Sequence, residues 1–426
     1  MNIVFHRYNS ICEPGYIEAF RALGIDVIEE DAEIRDKSIS GEDRIESIAR
    51  SILENKPMFV FSINFFPYIS DICEKLNVFY VCVSVDCPVA ELYSVSIRNK
   101  HNRVFLFDQK QYEDIAYENP GNIFHLPLSA YNTEKVTTDF KYDVTFIGSL
   151  YTEKNPFPEV ISKVNSRVKG ACDGLLSAQE LFGGLELIDQ IMDARTPSVL
   201  PSAPHSTGQT NMMTNAPQAA SDGIARDIKL AFSPFLPREI SSPTDFIYDM
   251  AGIWAVDSCL GYELTVRDRL LLIASLSESL ADVGASMHLF TRSDVSGLKS
   301  LTDKTVIHGG VNTLTEMPDI FGSSKININT TMRAIRTGLP QRIWDIMGVG
   351  GFVLTDYRTE IPEYLTIGKH LEAYESIDEA CEKAAYFLAH EDERLEIAEN
   401  GYKEVCEKHT ILNRVTSMIS MIMNEA

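Results

Sequence analysis

A chain of 426 residues with 45% hydrophobic side chains can bury two cores of ordinary domain size. Its formal net charge of −23 argues against a general nucleic-acid or anionic-membrane binder, so a phosphate ligand would need a local basic pocket. No apolar run approaches the ~20 residues of a spanning helix, the N-terminal MNIVFHRYNS lacks a signal-peptide pattern, and the eight cysteines form no C-x-x-C pair; a cytoplasmic protein with free thiols is expected.

Taken in order, Met1–Phe5 reads as a strand, Tyr16–Leu23 as a helix stopped by Gly24, and Asp26–Glu29 as a second strand. A helix over Arg44–Glu54 leads to the apolar run Met58–Asn64, suited to a strand buried on both faces. Helix Ile69–Leu76, strand Val78–Val85, strand Val104–Asp108, helix Gln111–Tyr117 and strand Ile123–Leu126 complete the first part. This alternation predicts an α/β unit with a parallel, Rossmann-like sheet over residues 1–130. Ligands of such sheets sit at the carboxyl ends of strands, which singles out Asn64, Asp86 and Asp108. Each Asp is either a turn or cap residue or a carboxylate at a cleft.

Residues 131–141 are polar and read as a linker. Strand Asp143–Ile147 then opens a second α/β unit, expected over 142–409, and runs into Gly148-Ser149, with Lys154 close behind. A strand ending in Gly-Ser can bring backbone N–H groups to a phosphate. Glu159–Met192 reads as one or two helices broken at Gly183-Gly184. Residues 196–221 are rich in Pro, Ser, Thr, Asn, Gln and Ala, with His205 the one ionisable side chain, and read as a surface loop or disordered insertion. Thr265 is the expected N-cap of the best helix, with Asp268 at the capping-box position and a buried stripe through Val266, Leu270, Ile273, Leu276 and Leu280. Strand Met287–Phe290 ends at Thr291-Arg292, and Val306-Ile307 at His308-Gly309-Gly310. Helix Leu314–Phe321, strand Ile326–Ile328, helix Gln341–Met347 and strand Phe352–Leu354 follow, then helices near 377–388 and 392–407 and a last helix within 410–426.

From Ile320 to Trp344 the chain carries Lys325, Arg333, Arg336 and Arg342 and no acid, in a protein with 61 acids. At a loop-to-helix junction, where free N–H groups and the helix dipole favour negative charge, this points to an anion site. Arg333 and Arg342 are the expected diphosphate partners, because a guanidinium fork pairs two phosphate oxygens. Asp345 either forms a surface ion pair with Arg342 or accepts hydrogen bonds from a ribose. His308 is either a capped strand end or a donor to a ligand, and Asn329 closes its strand with a polar group. The chain lacks G-x-G-x-x-G, a P-loop, G-x-S-x-G, H-E-x-x-H and a D-x-D pair, and its nine histidines show no metal spacing. No cofactor or metal is expected.

The run SKININTT–GLPQRIWDIMGVGGFVLTDY, with HGGVNTLTEMPDIF before it and RLEIAENGYKEVCEKHT after it, resembles the C-terminal domain of the CgeB-like glycosyltransferases, a bacterial family related to the group-1 transferases that includes spore-maturation proteins. RVKGACDGLLSAQELFGGLELI, VFYVCVSVDCPVAELYS and RVFLFDQKQYEDI are similar to other parts of that family, so the likeness spans most of residues 58–420. The resemblance implies a GT-B fold, two facing Rossmann-like domains with the nucleotide sugar mainly on the second, the acceptor mainly on the first, and a last helix that crosses back. It places Gly148 and Ser149 near the diphosphate, His308, Gly309 and Gly310 near the base or sugar, Arg333 and Arg342 as cationic partners and Asp345 on the ribose; Arg292 and Asn329, at strand ends, join them as candidate nucleotide-sugar contacts. Many retaining group-1 enzymes have two Glu eight residues apart where this chain has Thr337 and Asp345. The function implied is transfer of a sugar from a nucleoside-diphosphate sugar to a hydroxyl of a glycan, protein or small molecule, with Asp86 as base if the reaction inverts and Arg342 stabilising the departing diphosphate. An inactive binding module and a sugar-nucleotide epimerase on the same fold are the alternatives.

Overall fold

The computed structural model describes residues 1–136, 139–195, 216–241 and 245–424. Among these described residues, twelve strands form two six-stranded parallel sheets. The first contains β1 (Asn2–His6), β2 (Asp26–Glu30), β3 (Phe59–Ile63), β4 (Phe79–Ser84), β5 (Asn102–Leu106) and β6 (Ile123–His125), in the order β2-β1-β3-β4-β5-β6. The second contains β7 (Tyr142–Ile147), β8 (Met287–Phe290), β9 (Val306–His308), β10 (Ser324–Asn329), β11 (Val353–Asp356) and β12 (Glu372–Tyr374), in the order β12-β11-β10-β7-β8-β9. Strand β12 has no counterpart among the sequence expectations.

Parallel strands buried on both faces explain why β3 to β5 read as continuous apolar runs rather than alternating ones. Val60, Tyr80, Cys82 and Val104 face one core. Their neighbours Phe59, Phe61, Val81 and Phe105 face another. The helix Ile411–Asn424 closes this second core with Ile411, Val415, Met418 and Ile422, packed against Tyr16, Ile17 and Phe20 of the helix Glu13–Ala22. Gly15 makes that approach possible, because a Cβ there would lie 2.5 Å from Ile411 Cδ1.

The segment between β7 and β8 is a helical block. It contains the helices Phe157–Lys163, Ser166–Gln179, Glu186–Met192, Ala216–Phe232 and Met250–Ile253, then a π-helical stretch, Trp254–Leu260, running into the long helix Gly261–Asp282. Sequence order attaches this block to the second sheet. Its apolar side chains, Leu176, Ile188, Ile228 and Val256 among them, nonetheless share a core with Leu92, Tyr93 and Ile97 beside the first sheet. Periodicity shows that a helix has a buried face, not which sheet covers it.

Two local expectations change. Ala216–Ser221, read as part of the insertion, opens a helix; residues 196–215 of that insertion lie outside the described residues. Thr265 is not an N-cap, because the helix already begins at Gly261 and continues from the preceding turns. Its Oγ1 donates to Gly261 O at 2.7 Å and accepts the Arg333 N–H at 3.0 Å, while Asp268 pairs with Arg333. All eight cysteines are free. Among the described residues no helix is long and apolar enough to cross a membrane.

Candidate functional site

In open parallel sheets, ligands gather where the strand order reverses, beyond the carboxyl ends. In the second sheet that point lies between β7 and β10, the first strand of the sheet and its out-of-sequence neighbour. A cavity of about 310 Å³ opens there, walled by Gly148 and Ser149 after β7, Asn329 and Thr330 at the end of β10, and Arg269 and Arg342. A second cavity of about 500 Å³ shares Gly148, Ser149 and Arg342 and extends past Arg292, Gly310 and Asn312 at the ends of β8 and β9.

The two arginines define the chemistry. Arg269 is 8% exposed and bridges the strand-end loops, donating to Ser149 O and, at 2.9 Å, to Thr330 O. Its guanidinium lies 4.5 Å from the Tyr151 ring centroid, and its Nε has no partner among the described residues. Arg342 contacts Met317 Sδ and lies 5.4 Å from the Phe321 ring centroid. Neither arginine has a carboxylate within the 4.0 Å of an ion pair among the described residues. Burial lowers the pKa of both; for Arg342 the charge of Asp345 opposes that shift. A buried guanidinium without a counter-charge is costly, and an anion placed beside it offsets that cost. Ser149 Oγ donates to Glu153 at 2.7 Å, so the larger cavity also holds one acid.

The other expected residues divide. Gly148, Ser149, Asn329 and Arg342 meet at the smaller cavity, and Arg292 lines the larger one, folded over Gly310. Asn329 also donates to Thr355 Oγ1 at 2.9 Å. Arg333 does not join them: it pairs with Asp268 at 2.5 and 2.8 Å and donates to Phe182 O at 2.6 Å, so its fork is already filled. Asp345 lines neither cavity and makes no ion pair with Arg342; it accepts from Gln341 Nε2 at 2.7 Å and from the Tyr131 N–H at 3.3 Å. Burial raises its pKa. His308 lies flat on Phe290, with ring centroids 4.2 Å apart, and meets His288 at 3.1 Å; burial lowers its pKa, and neither His308 nor Gly309 lines the two cavities.

Across the cleft, the first sheet's order changes between β1 and β3, and Tyr8 and Asn64 stand at that point. Asn64 clamps the turn after β4: its Oδ1 accepts from the Val85 N–H at 3.0 Å and its Nδ2 donates to Asp86 at 2.7 Å. Asp86 is exposed and lines both the small cavity and a third one of about 700 Å³ on the first-sheet side. It stands between the two halves of the cleft.

Asp108 has a different place. It caps the helix Gln109–Ile115, and its Oδ2 accepts three consecutive N–H groups of the second unit, Arg336 at 2.7 Å, Thr337 at 2.8 Å and Gly338 at 3.0 Å. Gly338 is required there, because a Cβ would lie 2.8 Å from Phe107 O. Thr337 Oγ1 accepts the Lys110 N–H at 3.1 Å. The loop that reads as an anion site is therefore filled by the protein's own carboxylate.

Sequence reading missed Arg269. Its signal is nevertheless present: three residues after Val266 and four before Ile273, it occupies the buried stripe of an amphipathic helix, where an arginine needs a reason.

Residues 273–420 match the model of the family described as glycosyl transferase-like. The match includes Arg292 and Arg342 and leaves out Arg269, Gly148 and the first sheet. No curated protein matches the chain in sequence. Among solved structures, the chain is similar to sucrose-phosphate synthase from Thermosynechococcus elongatus, at 8% identity over 100% of both chains with a TM-score of 0.52. It is likewise similar to HepE from Anabaena in complex with UDP, at 8% identity over 99% of both chains with a TM-score of 0.50. At that identity the likeness concerns the fold, which is the GT-B architecture of two facing α/β units.

Proposed function

We propose that the protein is a metal-independent hexosyltransferase, of the CgeB-like branch and acting in the bacterial cytoplasm, that moves a sugar from a nucleoside-diphosphate donor to a hydroxyl acceptor. The observation that carries this is the pair Arg269 and Arg342 at the β7/β10 reversal, without carboxylate partners among the described residues, facing Asp86 across the cleft. The family match over 273–420 and the UDP held by the structurally similar HepE support a nucleotide sugar as the ligand.

In this reading the donor diphosphate lies between the two guanidinium groups and the Gly148-Ser149 loop, with the nucleoside toward Arg292 and Asn312. The acceptor oxygen attacks the anomeric carbon, the carbon–oxygen bond to the diphosphate breaks, and its electron pair leaves with the nucleoside diphosphate. The two arginines stabilise that growing charge. Asp86, oriented by Asn64, takes the acceptor proton if configuration inverts.

One observation favours a second reading, an inactive binding module. Thr337 stands where group-1 enzymes of the retaining type carry an acid, and it is committed to the contact with Lys110 and Asp108. Incubation with UDP-, GDP-, dTDP- and ADP-sugars separates the readings. Slow hydrolysis or transfer with one donor, lost in Arg342→Ala while the variant stays folded, supports the enzyme. Binding without turnover under every acceptor supplied supports the module.

A further inference from the structure

The cavity of about 700 Å³ on the first-sheet side is walled by an element that belongs to neither sheet. Trp254, Ser258 and Tyr262 recur every fourth residue through the π-helical stretch and into the helix after it, so they share one face, and all three line the cavity. π-helical turns are uncommon and gather at functional sites. This wall is held from behind. Asp257, on the same turns, meets Arg195 at 2.5 Å, and Arg195 reaches Asp114 of the first unit at 3.0 Å. Asp114 in turn meets Arg336 of the second unit.

The cavity is also lined by Tyr8 and Phe66, with ring centroids 5.2 Å apart, and by Asn64 and Asp86. Tyr151 meets Tyr262 at 5.3 Å and closes the end nearest the arginines. Broad ring faces thus alternate with an amide, a carboxylate and a hydroxyl. Rings present flat apolar surfaces to the C–H faces of a pyranose, and the planar polar groups accept and donate to its hydroxyls. The ionisable side chains of the cavity include Asp86, Glu91 and Lys154, an acidic balance in a chain of net charge −23, which disfavours an anionic occupant.

We infer that this cavity is a binding site for a neutral saccharide, the acceptor, with the π-helical wall setting its identity. The inference rests on the glycosyltransferase reading for the word acceptor, and on the cavity alone for the word saccharide.

The chain has two tryptophans, Trp254 on this cavity and Trp344, which is 0% exposed and gives a constant background, so a ligand-dependent change in emission reports Trp254. The full-length protein is titrated with methyl hexosides and with neutral disaccharides, and separately with octanol and with phenol as apolar and aromatic probes. A saturable change in emission with a saccharide is expected. Tyr262→Ala, which keeps the reporter, should weaken that titration about tenfold, and Trp254→Phe should abolish the signal in a variant that still melts cooperatively, at a somewhat lower midpoint. Saturation by octanol or phenol with no response to any saccharide overturns the inference. So does a saccharide response that Trp254→Phe or Tyr262→Ala leaves intact. Calorimetric titration with nucleoside diphosphates is run in parallel. Nucleotide binding without saccharide binding overturns this inference alone, whereas saccharide binding without nucleotide binding overturns the glycosyltransferase reading and leaves the cavity assignment standing.

Discussion

Two groups of arginines lie within one short stretch of the second unit and its neighbouring helix, and they do opposite things. Arg333, half-buried, and Arg336, buried, each sit with acids: Asp268 holds the first at 2.5 and 2.8 Å, and Asp114 with Asp189 holds the second. Arg269, buried, and Arg342, half-buried, instead meet carbonyls, rings and a thioether, with no carboxylate partner among the described residues. A partnered guanidinium has its charge answered within the chain and acts as a structural tie. An unpartnered one is a preformed place for an anion. Charge counted along the sequence cannot distinguish the two groups, because the acids that neutralise Arg333 and Arg336 come from 65 to 222 residues away.

This contrast is best broken by removing one arginine of each kind. Arg342→Ala and Arg269→Ala should each lower sugar-nucleotide turnover by roughly 10²–10³, as loss of a preorganised charge at a departing group does, with little change in thermal midpoint. Steady-state kinetics beside a melting curve checks both halves. Arg333→Ala should show the reverse, a loss of about 2–3 kcal/mol in denaturant unfolding with nucleotide affinity unchanged in the folded protein.

Acid should destabilise the junction between the units. Burial and the Arg414 charge hold His409 neutral, with its pKa lowered from 6.5 to about 4. The unfolded chain therefore binds a proton in that window that the folded chain refuses. This contribution to stability is complete above pH 6.5 and disappears as pH falls toward 4. It amounts to roughly 3 kcal/mol, readable as a pH slope of unfolding that His409→Gln flattens. His125 has the opposite sign. Burial pulls its pKa down, but the hydrogen bond to Glu360 at 3.0 Å and the Glu360 charge outweigh it, so its net shift is upward. Its contribution is present below the unfolded pKa and fades as pH rises through the folded one.

Asp108→Asn should cost about 2 kcal/mol, because one carboxylate oxygen accepts three N–H groups of the other unit. The smallest effect belongs to Thr337→Ala, under about 1 kcal/mol for one hydroxyl acceptor, with donor binding unchanged because Thr337 faces the Asp108 contact rather than the cavities.

The architecture was legible from periodicity. Continuous apolar runs such as FVFSI and FYVCVS mark strands covered on both faces, and Gly148 and Asn329 lie at strand ends where the cleft opens. The legible part of the site is the part made by strand ends, since their position follows from fold topology. Local charge and helical spacing single out Arg333 and Asp345, and a strand end singles out His308, with the family resemblance adding to each; the structure engages them with Asp268, Gln341 and Phe290 respectively. Arg269 was hidden because a helix face announces its burial but not the loops it will touch. The π-helical wall was hidden for a related reason: WAVDSCL shows no periodicity that sets a π-helical turn apart, and Asp257 on it is tied to Arg195 across the insertion.

The most direct test titrates the full-length protein, Arg269→Ala, Arg342→Ala and Arg333→Ala with the nucleoside diphosphate that binds best among UDP, GDP, dTDP and ADP, and with the matching nucleoside. The wild type and Arg333→Ala should prefer the diphosphate strongly, and that preference should fall by at least about tenfold in Arg269→Ala and in Arg342→Ala. Equal binding of diphosphate and nucleoside by the wild type, or a preference lost in Arg333→Ala and kept in the other two, would contradict the assignment of the unpartnered arginines to the donor diphosphate.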